Sequence, residues 1–158
     1  MPVMIGQTAP DFMLYDTDKQ PVHLKDFRER KNVLLLFFPL AFTSVCTKEL
    51  CEIRDDIRTY ENGSVQVLGI SVDSVFTLQK FKEEQHYNYP LLSDFNKEVS
   101  ALYNSLYDSF GNMHMRGVSK RSAFIIDKQG IIQYAEILEN PGNVPDFNAI
   151  KECLARLS

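Results

Sequence analysis

The stretch NVLLLFFPLAFTSVCTKELCEIRDDIR, residues 32–58, decides how this chain folds. From Val33 to Phe38 every residue is apolar, with no polar alternation. Such a run belongs to a strand buried on both faces, in a sheet covered by helices on each side. From Cys46 the apolar residues change to helical spacing, and Cys46, Leu50, Ile53, Ile57 and Tyr60 share one side, which predicts a helix over residues 46–58. A thiol at such a strand-to-helix junction meets unpaired backbone N–H groups and the positive end of the helix dipole, a setting that favours an anionic sulfur. Cys46 is therefore a candidate nucleophile on position alone.

Working outward, Asn62-Gly63 is expected to end that helix, and residues 65–72 read as the next buried strand. The order strand, helix, strand predicts a parallel, right-handed crossover. Ser74 is placed to cap a helix over residues 75–86, a short strand follows at 90–94, and residues 96–106 are expected to be helical. Residues 120–127 and 131–137, around Lys128-Gln-Gly130, form a hairpin pattern, and a closing helix over 146–157 turns Phe147, Ile150, Cys153, Leu154 and Leu157 inward. Towards the N-terminus, residues 9–15 and 22–24 read as two short strands around a polar turn. Residues 108–117 make the longest loop, a length that is often functional. With no repeat, low-complexity tract or linker, the expectation is one α/β domain over residues 1–158, a central mixed β-sheet flanked by helices.

A net charge of −4, without any basic run, provides no field for nucleic acid or an anionic membrane, so neither is expected as a partner. The longest apolar run, residues 33–42, is far short of the roughly 18 needed to span a bilayer. The N-terminus carries no basic region followed by an apolar one, so the expected location is cytoplasmic. Three cysteines, Cys46, Cys51 and Cys153, argue against a permanent disulfide framework in such a compartment. Together with His23, His86 and His114 they show no paired ligand spacing of the zinc type, and no metal or other cofactor is expected.

Reading back from Cys46 gives Pro39-Leu-Ala-Phe-Thr43-Ser-Val-Cys46, a P-x3-T-x2-C pattern. With this motif, the Ala9-Pro-Asp-Phe opening, Glu49, Gly69-Ile-Ser and Arg121-Ser-Ala-Phe-Ile-Ile-Asp127, the chain resembles the peroxiredoxins (AhpC/TSA family) over nearly its whole length. The resemblance implies a thioredoxin-like fold and a thiol-dependent peroxidase acting on hydrogen peroxide and organic hydroperoxides. Cys46 would supply the thiolate that attacks a peroxide oxygen and becomes a sulfenic acid. Charge then spreads from sulfur onto the O–O group, where fixed donors stabilise the transition state most. Thr43 would offer a hydroxyl, Arg121 matches the family arginine, Pro39 would shield the thiolate from water, and Glu49 resembles the glutamate that orients the arginine.

Cys51 lies five residues after Cys46. Along an intact helix that is a rise of about 7.5 Å and a rotation of about 140°, leaving the Cα atoms roughly 8.7 Å apart. A disulfide needs less than about 7 Å, so the first turns would have to unwind before the two sulfurs met. The spacing resembles the bacterioferritin-comigratory (PrxQ) branch, where this position holds the resolving cysteine. Residues 37–43 and the tail from Arg121 look more like the AhpE branch, whose members work with one cysteine and an external thiol. Both cycles stay open, with thioredoxin or a similar dithiol protein as the implied reductant and a monomer or homodimer as the unit. A peroxide-sensing redox protein would use the same chemistry. A disulfide oxidoreductase is disfavoured by the absence of Cys-x2-Cys. Phe42, Phe76, Tyr87 and Phe110 are candidates for either a substrate entrance or a dimer contact, and Cys153 for an inert core thiol.

Overall fold

The computed structural model describes residues 3–61 and 63–157. Strand β3 (Asn32–Phe37) is buried along its entire length at the centre of a seven-stranded sheet. Its neighbours are β4 (Val65–Ser71), parallel to it, and β8 (Ser122–Ile126), antiparallel. The sheet order is β2-β1-β5-β4-β3-β8-β9, with β1 (Met13–Asp16) and β2 (Pro21–His23) forming the early hairpin and β5 (Leu91–Ser93) parallel to β4. Strand β9 (Ile132–Ile137) completes the expected hairpin with β8, with one irregularity at Ile125/Ile126. A separate pair, β6 (Leu106–Tyr107) with β7 (Val118–Ser119), brackets the long loop.

The alternation of a strand divides β3 between two cores. Leu34, Leu36 and Phe38 belong to one, together with Cys46, Leu50 and Ile53 of α1 (Ser44–Asp55), Leu78 and Phe81 of α3 (Val75–Gln85), and Ile150, Cys153 and Leu154 of α5 (Phe147–Leu157). Val33, Leu35 and Phe37 belong to the other, with Phe12, Leu24, Val99 of α4 (Glu98–Leu102), and Tyr103. This is the mixed, helix-covered, thioredoxin-like α/β sheet expected from the sequence, and β3 ends directly before the loop that carries Pro39 and Thr43.

Three helix boundaries differ from the sequence expectation. The cysteine helix starts at Ser44, so Cys46 is its third residue, because Thr43 already has extended N-cap dihedrals. It stops at Asp55; Asp56 leaves the helical region and its carboxylate accepts from the Thr59 hydroxyl, opening the short α2 (Ile57–Tyr60). That helix closes at Glu61, ahead of Gly63, while Asn62 lies outside the described residues. The helix foreseen over 96–106 is only α4. Lys97 takes left-handed dihedrals while both Asp94 carboxylate oxygens accept the Val99 and Ser100 N–H groups, and Asn104, with φ of 54°, turns the chain out again. Leu106 is consequently in a strand. The Ser74 cap is as expected, its hydroxyl accepting from Thr77 N at 3.2 Å.

Gly69 in β4 is constrained by packing. A Cβ there would stand 2.7 Å from Leu91 Cδ2, 3.5 Å from the Phe38 ring and 3.7 Å from the Tyr89 ring. Since Phe38 precedes Pro39 and Tyr89 bonds to α1, crowding here reaches the site loop. Gly69→Val is expected to cost about 1–3 kcal/mol in urea unfolding. Unchanged stability would mean that this contact relaxes freely.

Candidate active site

The loop from β3 to α1 is set by local bonds. Pro39 is buried at the end of β3. Ala41 N donates to Asp73 Oδ2 at 2.8 Å, and the same oxygen accepts from the Ser71 hydroxyl at 2.7 Å, so the end of β4 braces the loop. Phe42 follows with φ of +67°, a left-handed conformation that is strained for a bulky side chain and marks an over-determined segment. Its ring packs on Phe81 with centroids 5.0 Å apart. The Thr43 hydroxyl donates to Leu40 O at 2.7 Å and makes no bond to the helix, so Thr43 caps α1 through its backbone only.

Cys46 in the first turn of α1 is 0% exposed. One turn on, Glu49 is also fully buried and faces the same way. Arg121, between β7 and β8, meets both: its Nη1 donates to Cys46 Sγ at 3.3 Å and to Glu49 Oε1 at 2.7 Å. Its Nε and Nη2 both donate to Pro141 O, at 3.1 and 2.9 Å. Arg121 is itself 1% exposed, which is unusual for an arginine and requires that its donors be matched. Burial opposes its charge, but Glu49 and then Cys46 more than offset that and hold it above the ordinary arginine range. Glu49 is governed by burial, which outweighs Arg121 and pushes it up to about 7. Above that pH the two form a buried ion pair; below it, a neutral carboxyl accepts from the guanidinium.

A depression of about 220 Å³ opens beside this cluster, lined by Thr43, Ser44, Val45, Phe110, Arg121, Pro141 and Gly142. It opens onto the Arg121 side chain. Of the four aromatics considered from sequence, Phe110 lines this mouth, Tyr87 is buried, and Phe42 and Phe76 are exposed.

Cys46, Glu49 and Arg121 thus come together, with Thr43 at the rim. Cys51 does not join them. It is half-buried, and its thiol faces Gln85 Oε1 at 3.6 Å and the Tyr87 hydroxyl at 3.8 Å. The three cysteines are free, and Cys46 and Cys51 share one unbroken helix. Cys153 is buried, and desolvation raises its thiol above the usual range.

Sequence reasoning passed over Asp73 and the Pro141 carbonyl. Asp73 follows a parallel strand, at the carboxyl end where such sheets build sites, and that signal was available. Asn140-Pro-Gly-Asn143 reads as a turn, but nothing local says where its carbonyl aims. Among the described residues, no group of three or more His, Cys, Asp or Glu side chains comes together as a metal site. None of the described helices is long and apolar enough to cross a membrane.

Residues 5–135 match the AhpC/TSA family. The chain is 39% identical over 156 residues to alkyl hydroperoxide reductase E of Mycobacterium tuberculosis, covering 98% of this chain and 97% of that one. Among solved structures, it superposes on peroxidoxin BcpB from Mycobacterium tuberculosis with a TM-score of 0.85 at 29% identity, over 99% of each chain. It matches reduced Plasmodium vivax 2-Cys peroxiredoxin with a TM-score of 0.84 at 30% identity, over 98% of this chain and 81% of that one.

The folded state holds the Glu49 proton up to about pH 7, whereas an unperturbed glutamate loses it near 4.5. The folded chain therefore binds more protons across that window, and this contribution to stability, complete below 4.5, is lost as pH rises through 7, at up to about 1.4 kcal/mol per pH unit. Urea unfolding at pH 4.5 and 7.5 should show wild type losing about 3 kcal/mol relative to Glu49→Gln. Parallel pH profiles for the two proteins would mean that Glu49 ionises like a solvated carboxylate.

Proposed function

The chain belongs to the AhpC/TSA family of peroxiredoxins and is a thiol-dependent peroxidase; within that activity, we propose that Cys46 is the peroxidatic thiol, served by Arg121, Thr43 and Pro39 and supported by Glu49. The observation that carries this reading is the Arg121 guanidinium shared between Cys46 Sγ and Glu49 Oε1 in a fully buried cluster. A fixed cation 3.3 Å from the sulfur is placed to meet negative charge as it develops in the reaction and stays in place as that charge moves to oxygen.

The sulfur attacks one oxygen of hydrogen peroxide or an organic hydroperoxide, and the O–O bond breaks. The second oxygen leaves as hydroxide or alkoxide and takes up a proton, while Cys46 becomes a sulfenic acid. Pro39, lacking an N–H, closes the loop side against water, and the Thr43 hydroxyl orients the peroxide at the rim.

The Cys51 thiol then attacks the sulfenic sulfur, water departs, and a Cys46–Cys51 disulfide forms for a dithiol protein such as thioredoxin to reduce. This step needs the start of α1 to open. The ties to be released are the Tyr87 hydroxyl to Thr47 O at 3.4 Å, the Tyr89 hydroxyl to Leu50 O at 2.7 Å, and the Cys51 contacts with Gln85 and Tyr87. Burial first, and then the Cys51 contact, hold the Tyr87 phenol well above its ordinary range, so it remains protonated and able to donate. The buried bond from the Tyr89 hydroxyl to Leu50 O of α1 favours the second reading, a one-cysteine cycle in which an external thiol resolves the sulfenic acid. The proposed unit is a monomer or homodimer of one domain, residues 1–158, in the reducing cytoplasm.

Mass spectrometry after one equivalent of hydrogen peroxide separates these cycles. Wild type should give a Cys46–Cys51 linkage, Cys51→Ser a lasting Cys46 sulfenic acid, and Cys46→Ser no peroxide consumption. A lasting sulfenic acid in wild type would select the one-cysteine cycle, and undiminished consumption by Cys46→Ser would overturn the assignment of the thiol. Arg121→Ala should slow the peroxide reaction by about a hundredfold or more, and alkylation by iodoacetamide far less, because the contact to oxygen strengthens only in the peroxide transition state. Equal slowing of both reactions would leave Arg121 as a stabiliser of the thiolate alone.

A further inference from the structure

A guanidinium carries five N–H groups in one plane. In Arg121 four of them are committed among the described residues. Nη1 spends two on Cys46 Sγ and Glu49 Oε1, and Nε and Nη2 each spend one on Pro141 O. The Pro141 carbonyl thus sits across the Nε/Nη2 edge, opposite the nitrogen that holds the sulfur. Trigonal geometry directs the one remaining Nη2 hydrogen to the edge shared with Nη1. Nη1, on that same edge, is the nitrogen that holds Cys46 Sγ.

The carbonyl is held by a turn of its own. Asn143 N donates to Asn140 O at 3.1 Å, closing residues 140–143, and Asn140 Oδ1 accepts from Gly142 N at 2.9 Å. Proline at the second position presets its φ for such a turn. The closing bond uses the carbonyl of Asn140, so that of Pro141 has no part in it and projects outward as an acceptor. The segment before the turn is tied back to the same arginine: Leu138 N donates to Arg121 O at 2.9 Å, and the Tyr107 hydroxyl donates to Leu138 O at 2.8 Å. Pro141 and Gly142 also line the depression through which substrate would reach Arg121.

We propose that the turn 140–143 is a positioning element for peroxide reduction. Its Pro141 carbonyl locks the plane of Arg121, so that the last Nη2 hydrogen is offered beside Cys46 to the oxygen that accepts charge. Asn140 is a positioning residue acting through Pro141 and Arg121, and it touches neither sulfur nor substrate. This rests on the reading of Arg121 given above.

The test compares rates with hydrogen peroxide and with iodoacetamide for wild type, Asn140→Ala, Asn140→Asp, Arg121→Ala and the Arg121→Ala/Asn140→Ala double variant. Asn140→Ala should lower the peroxide rate about tenfold, since a misaimed donor loses its transition-state contact, and should leave alkylation within about twofold. Asn140→Asp, which keeps the side-chain acceptor for Gly142 N, should restore the peroxide rate. In the double variant the turn has no arginine to aim, so its peroxide rate should equal that of Arg121→Ala alone. Wild-type peroxide rates in Asn140→Ala with a slow Arg121→Ala would overturn the turn's role while the arginine's stands. A further fall in the double variant, or a parallel loss of alkylation in Asn140→Ala, would reduce the turn to general structural support. Wild-type rates in Arg121→Ala would remove both.

Discussion

A cation buried at 1% exposure is the constraint around which this structure is organised. An arginine taken out of water must have its donors matched, or the fold bears the cost of an unsatisfied charge. Arg121 meets most of that demand by joining two distant parts of the chain, the first turns of α1 through Cys46 and Glu49 and the turn after β9 through Pro141. Removing any of these partners leaves a buried donor unmatched. The arrangement that keeps Arg121 folded also aims it.

The pairing of Glu49 with Arg121 shows two opposing effects resolved by magnitude. The arginine at 2.7 Å favours a charged carboxylate, yet complete burial disfavours it more, and the group is pushed up to about 7. The chain therefore carries a charge-sensitive pair next to its thiol, close to neutral pH. The strained Phe42 and the Asp73 brace are further examples of local cost tolerated where the loop must be held.

The helix that carries Cys46 has a second set of attachments on its other flank. Tyr87, Tyr89 and Gln85 bond to Thr47, Leu50 and Cys51, across the helix from Arg121. One flank joins the thiol to Arg121, and in the proposed cycle the other flank is what would have to yield for the helix to open. The two sets of contacts share no side chain.

The sequence by itself determined the buried two-faced strand, the crossover to a parallel β4, the hairpin at the C-terminal side, and the identities of Cys46, Glu49 and Arg121. The elements and the position of Cys46 rest on periodicity and spacing, which are local properties of the chain, whereas Glu49 and Arg121 were implied by the resemblance to the peroxiredoxins. Helix limits were less legible: Asp94 caps α4 from outside it, and Thr43 starts α1 through its backbone dihedrals, two residues ahead of the apolar pattern. Only the tertiary structure decided that Arg121 would reach Cys46 across 75 residues, that Asp73 would hold Ala41, and that a turn twenty residues past the arginine would supply its last acceptor. The reason is physical: a hydrogen bond between distant segments depends on where the sheet brings them, and a backbone carbonyl leaves no mark in the identity of its residue.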